Sequence, residues 1–212
     1  MKPNILFITS DQQHWNTVGA FFNEIKTPNL DRLITDNTLV IFTTDHGHAY
    51  GHHGLAYKGI FMYDDFIRIP WIVRLPGQVP AGRGSGALQS AVDLVPTVLD
   101  YCGIRIPDGV AGISQKDVWN GKIDSVRNFV FCENNMERDS VYMKSFVTDK
   151  YKLTVYLNME FGEFYDLESD PGEIKNLWDN PEYTNLKMTL LHKFIQAGMK
   201  SEPNFMPRLW GA

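Results

Sequence analysis

The chain has 212 residues, 43% hydrophobic and 21% charged, enough to bury a real core as a soluble globular protein of one or two domains. A net charge of −5 with no basic run argues against nucleic acid as the main partner. Two cysteines, Cys102 and Cys132, imply no disulfide framework, and no run of about 18 apolar residues offers a membrane span.

The opening Met1-Lys2-Pro3-Asn4 passes straight into an apolar run without the features of a signal peptide, so the chain as it stands is expected in the cytoplasm. Asn4-Ile5-Leu6-Phe7-Ile8-Thr9-Ser10 reads as a buried strand and ends in Asp11-Gln12-Gln13-His14. Thr27-Pro28 opens a helix, with Thr27 as its cap and Pro28 in its first turn. Thr38-Leu39-Val40-Ile41-Phe42 is a second buried strand, followed by Thr43-Thr44-Asp45-His46-Gly47. The two strands end alike, in paired hydroxyl residues and then an aspartate. If they lie parallel and adjacent, Asp11 and Asp45 converge at one sheet edge, where open α/β sheets hold their ligands. Aspartate and histidine are metal ligands, Gly47, Gly51 and Gly54 permit sharp turns, and Lys58 supplies a positive charge for an anion. A metal-assisted anion site is one reading of this stretch; a plain turn with a solvated histidine loop is the other.

Residues 67–75 read as a further strand, bent or at an edge near Pro70. Asp93 is expected to cap a helix whose Leu94, Val95, Val98, Leu99 and Cys102 share one face and which Gly103 ends. A proline- and glycine-containing linker follows over 104–112, dividing an expected first domain, 1–112, from a second, 113–212. In the second, Phe129-Val130-Phe131, 141–147, 151–157 and 163–167 are short strands of a small antiparallel sheet. Ser169-Asp170-Pro171-Gly172 is a turn. From Pro181 a final helix carries an apolar stripe of Leu186, Leu190, Leu191, Phe194 and Ile195.

Several of these stretches together resemble a known family. Residues 3–13 followed by Lys26-Thr27-Pro28-Asn29-Leu30-Asp31-Arg32-Leu33 look like the opening of a type I sulfatase. Residues 36–47 through Gly51-His52-His53-Gly54 and Lys58-Gly59 look like that family's second metal-binding segment. Arg68-Ile69-Pro70, Val92-Asp93-Leu94-Val95-Pro96-Thr97, Glu163-Phe164-Tyr165-Asp166-Leu167 and Asp170-Pro171-Gly172-Glu173 fit its continuation in the right order. The resemblance implies an α/β, alkaline-phosphatase-like fold: a mixed sheet between helices with a smaller C-terminal antiparallel sheet and helix. It implies Asp11, Gln12, Asp45 and His46 as ligands of a divalent metal. Their oxygens suit Ca2+ first, or Mg2+, while the imidazole of His46 also suits Mn2+. Lys58 matches the lysine that contacts the sulfate, and His53 a recurrent histidine of the site, with packing as its alternative role. His48 and His52 read as loop residues. The implied activity is sulfuric ester hydrolysis, the partner being a small-molecule or saccharide sulfate ester. Nucleic acid and membrane are not implied, and the oligomeric state is left open.

The family's nucleophile is a Cys or Ser in a C/S-x-P-x-R stretch, matured to formylglycine. Neither Cys102-Gly103-Ile104-Arg105 nor Cys132-Glu133-Asn134-Asn135 fits it, and Ser201-Glu202-Pro203-Asn204-Phe205 ends in phenylalanine. The opening motif meets the second metal motif directly at 33–36, where a family member carries a long central segment. A deletion, a fragment and residues missing from the record all remain open, and a break is expected between Arg32 and Asn37. Two alternatives to the sulfatase reading stand beside it: a phosphonate monoester or phosphodiester hydrolase of the same fold, and a non-catalytic metal-binding remnant.

Overall fold

A computed structural model describes residues 3–11, 37–135 and 141–201 of the chain. Strands β1 (Asn4–Ser10) and β2 (Thr38–Thr44) run parallel, pairing residue for residue from Asn4 with Thr38 to Ser10 with Thr44. Strand β3 (Trp71–Arg74) lies antiparallel on the other side of β2, so this first sheet is mixed, in the order β1-β2-β3. The β-branched run of β2 is buried, with Leu39 and Ile41 fully enclosed. The expectation of a buried β1 does not hold. Ile5 is 38% and Phe7 46% exposed. Among the described residues β1 is an edge strand, so its apolar side chains have a neighbour on one side only.

The strand expected over 67–75 is also shorter. One helical turn, α1 (Asp64–Ile67), uses its beginning, and β3 starts only after Pro70, which has no N–H to give a ladder. Helix α2 (Leu94–Tyr101) stops as expected at Gly103, whose φ of 62° suits a residue without a side chain. Its entry differs from expectation. A short 3-10 turn, Ala91–Asp93, precedes it with Ser90 as its cap, and Asp93, which does stand just before Leu94, gives the helix no side-chain cap bond. Val95 is 57% exposed, and the buried positions are Pro96, Thr97 and Tyr101. Asp93 is instead fully buried and collects donors: the backbone N–H groups of Ser90 and Ile113, the side-chain amide of Gln115, and Arg127. A short helix the sequence did not suggest, α3 (Lys116–Trp119), then packs Val118 and Trp119 against Leu39, Ile41, Leu75 and Tyr101. These two residues lie past position 112 yet belong to the core of the first sheet.

The remainder is the expected antiparallel meander. Strands β4 (Val130–Asn135), β5 (Tyr142–Val147), β6 (Tyr151–Tyr156) and β7 (Gly162–Asp166) pair in sequence order. Helix α4 (Thr184–Ser201) covers one face of it, where Phe146, Leu153 and Phe164 meet Leu190, Phe194 and Ala197. Ala197 faces inward in place of Ile195, which is 62% exposed. Burial of this apolar area is the main stabilising term of the second core.

A polar joint ties the two sheets. Lys152 of β6, only 1% exposed, reaches Glu173 at 2.7 Å and also pairs with Asp64 at the start of α1. The backbone N–H of Asp64 donates to Glu173 at 2.6 Å, and the Tyr63 hydroxyl donates to Glu163 at 3.4 Å. Such a buried ammonium is tolerable only with carboxylates around it. Among the described residues no helix is long and apolar enough to cross a membrane. The expected helix at Thr27-Pro28 and the expected break between Arg32 and Asn37 lie outside the described residues.

Candidate functional site

The register of β1 and β2 decides where the acidic residues emerge. Because Ser10 pairs with Thr44, the next residues, Asp11 and Asp45, leave the sheet side by side at the carboxyl ends of parallel strands. The hydroxyl of Thr44, which is 3% exposed, donates to the carbonyl of Ser10 at 2.6 Å and holds the two strand ends together. One ligand atom each of Asp11, Asp45 and His46 lies within 4.8 Å of the others. His46 Nε2 is 3.4 Å from Asp45 Oδ2 and 3.8 Å from Asp11 Oδ1. Gln12 lies outside the described residues.

The tautomer of His46 follows from its other contact. Its Nδ1 lies 2.8 Å from the carbonyl of Gly47, an oxygen that can only accept, so Nδ1 carries the proton and Nε2 keeps a lone pair. That lone pair accepts from the Lys58 ammonium at 2.9 Å. A positive charge therefore already stands against His46, and it belongs to the residue the sequence marked for anion contact.

The loop from Asp45 to Lys58 is held in place by α1. The N–H of Gly47 donates to the carbonyl of Phe66 at 2.8 Å, and a Cβ at Gly47 would lie 2.0 Å from the carbonyl oxygen of Asp65, so only glycine allows this approach. Asp65 in turn faces two histidines, His52 Nδ1 at 3.0 Å and His53 Nε2 at 3.8 Å. His53 stands apart from the acidic cluster. It stacks on Tyr63 with ring centroids 3.8 Å apart and planes 6° from parallel. Burial lowers its pKa, with Asp65 opposing. His53 and Tyr50 adopt φ of 52° and 48°, values uncommon outside glycine. The His48 ring lies 4.4 Å from that of Tyr50, tilted by 31°, and no contact places it in the acidic cluster among the described residues.

Sequence reasoning overlooked Asp65, Thr44 as a strand latch, and Tyr63. The acidic pair Asp64-Asp65 directly after an aromatic residue was visible, but nothing local tells which loop it supports. The cysteines do not join the site. Burial pushes the Cys132 thiol up to about 11, away from a reactive thiolate, and Cys102 follows the end of α2.

The sequence model of the family described as N-sulphoglucosamine sulphohydrolase, C-terminal, matches residues 51–200. The N-acetylglucosamine-6-O-sulfatase of Bacteroides thetaiotaomicron is 32% identical over 176 residues, covering 80% of this chain and 31% of its own length. A solved structure of a protein in complex with its substrate D-glucosamine-2-N,6-O-disulfate has a TM-score of 0.72 and 27% identity, over 84% of this chain and 38% of that one. The phosphonate monoester hydrolase from Silicibacter pomeroyi shares the fold, with a TM-score of 0.72 and 24% identity over 80% of this chain and 36% of that one. The chain spans about a third of the length of the curated relatives it matches.

Proposed function

The chain belongs to the type I sulfatase family, with its alkaline-phosphatase-like fold, and from that membership we propose that the whole protein hydrolyses a saccharide sulfate ester beside a divalent metal. The observation that carries this is the meeting of Asp11, Asp45 and His46 within 4.8 Å, with Lys58 touching His46. The donor set fits a divalent cation: two exposed carboxylates and an imidazole whose tautomer leaves Nε2 open. Asp11, Asp45 and His46 would hold the ion, and Gln12 completes the set by resemblance. Carboxylate oxygens favour Ca2+ or Mg2+, and the imidazole admits Mn2+. When bound, the ion supplies Lewis-acid polarisation of a sulfate oxygen.

The chain's own residues supply orientation and charge. The Gly47 carbonyl keeps the proton on His46 Nδ1, so Nε2 faces the cluster with a lone pair that now accepts from Lys58. Nε2 would hold a cation or accept from Lys58, not both, so with an ion held there the ammonium would be available to an anionic oxygen as a point charge. His53, stacked on Tyr63 and facing Asp65, is read as a positioning residue of the loop rather than a group touching substrate. The formylglycine precursor of the family is not in this sequence. These residues therefore bind and orient the sulfate group, and the attack on sulfur belongs to the segment that the family carries between the two metal motifs.

The named relatives include an enzyme of 6-O-sulfated N-acetylglucosamine and a protein solved with a glucosamine disulfate, which supports an amino-sugar sulfate as the substrate class. The test is release of inorganic sulfate from glucosamine 6-sulfate by the protein isolated from its natural source, with and without chelator. Chelator-sensitive release is the expected result. Hydrolysis of a phenylphosphonate monoester with no sulfate release would move the activity to the phosphonate branch, and neither activity would leave a binding protein.

A further inference from the structure

The loop that supplies Asp45, His46 and Lys58 also presents two tyrosine rings to solvent that the proposed chemistry does not use, with the half-buried His48 beside them. Tyr57 is 76% and Tyr50 63% exposed. His48 lies between them, its ring 4.4 Å from Tyr50 at 31° and 6.1 Å from Tyr57 at 71°. Rings so exposed add little to a core, and large apolar groups gathered beside a polar site mark a place of contact. Tyr50 keeps its place at a φ of 48°, a backbone conformation that side chains other than glycine rarely adopt and that clusters at ligand sites. Tyr57 immediately precedes Lys58, joined by a trans peptide, so their Cα atoms are about 3.8 Å apart.

We propose that Tyr57, with His48 and Tyr50, forms a platform that receives the pyranose ring of a sugar whose sulfate group is held at Lys58. A pyranose offers a face of C–H groups with hydroxyls around its rim. An aromatic face attracts that C–H surface, and the tyrosine hydroxyl meets the polar rim. The platform is too small for a protein partner, whose interface needs hundreds of square ångströms on each side. Tyr57 adjoins the anion-binding lysine in the chain, which suits a small ring that carries an anion. This proposal rests on the sulfate-ester reading above, and it assigns the sugar's own contacts to residues outside the metal cluster.

The test uses the full 212-residue chain with Ca2+ present and three probes: inorganic sulfate, N-acetylglucosamine and N-acetylglucosamine 6-sulfate. Calorimetry gives affinities, and saturation-transfer NMR shows which sugar protons lie against aromatic rings. The sugar sulfate is expected to bind more tightly than inorganic sulfate, with saturation on its ring protons. Tyr57→Ala should weaken it about two- to tenfold while leaving inorganic sulfate within about twofold, and Tyr57→Phe should keep most of the affinity. Lys58→Ala should weaken both anions. If sulfate binds but the sugar sulfate gains nothing over it, or if Tyr57→Ala and Tyr50→Ala leave the sugar sulfate unchanged, the platform is refuted and the sulfate reading survives. If neither anion binds, both fall.

Discussion

The hydroxyl of Thr44 donates to the carbonyl of Ser10 at 2.6 Å, one residue before the two aspartates of the candidate metal centre. In-register pairing puts Asp11 and Asp45 at one edge, and this bond holds the strand ends at that spacing. Thr44→Val keeps the shape and removes the donor. It should cost about 1–2 kcal/mol in urea unfolding and weaken Mn2+ binding several-fold, whereas Thr44→Ser should stay near the parent in both. Equal stability and Mn2+ affinity for Thr44→Val would deny the latch any part in the site.

Two carboxylates held close repel each other until a cation comes between them. Asp45→Asn should therefore leave the metal-free chain at least as stable as the parent. It should also abolish the rise in melting temperature that Ca2+ or Mn2+ gives the parent, since a ligand that binds only the folded state stabilises it by mass action. His46→Ala should weaken Mn2+ more than Ca2+, because imidazole suits the transition metal better. A metal-induced shift that persists in Asp45→Asn places the ion elsewhere.

The purified 212-residue chain should not turn over sulfate esters above background. Lys58 can hold an anion, but neither cysteine lies in the family's nucleophile pattern, and burial holds the Cys132 thiol up at about 11. Arylsulfatase activity that disappears in Asp45→Ala would show that another residue attacks.

What could be read in advance was set by local chemistry. The paired hydroxyl residues before Asp11 and Asp45, and the alternating runs of the meander, depend on neighbours in sequence, and the register and strand order agree with them. Side chains whose partners come from distant elements were not legible. Asp93 looks like a helix cap because it precedes an apolar run, yet it is buried by donors from Ile113, Gln115 and Arg127. Lys152 stands in Tyr151-Lys152-Leu153-Thr154, where alternation assigns a lysine to the solvent face. Only the approach of Asp64 and Glu173 makes its burial possible, and neither is near it in sequence. Likewise the apolar run of β1 does not tell that, among the described residues, it lies at a sheet edge.

The joint around Lys152 makes stability depend on pH, with a sign that can be worked out. Asp64 and Glu173 pair with one ammonium, which also attracts Glu163, and Tyr63 joins Glu163 to the loop. Burial pushes Glu173 from 4.5 up to about 7, outweighing the attraction of Lys152. The folded state thus keeps a proton that the unfolded chain releases between those values. The stability from this proton is fully present below 4.5 and is lost as pH rises through about 7. Burial raises Glu163 as well and lowers His53, whose slope has the opposite sign near 6.5, so the raw curve mixes several groups. Glu173→Gln isolates one of them, since glutamine stays neutral throughout. From about pH 5 to about pH 8 the parent should lose on the order of 1–3 kcal/mol more than this variant in urea unfolding. Lys152→Met serves as the control for the ammonium and should cost about 3–5 kcal/mol near pH 8, because it leaves buried carboxylates uncompensated. Parallel pH curves for the parent and Glu173→Gln would mean that Glu173 is ionised in the folded protein and that Lys152 outweighs burial.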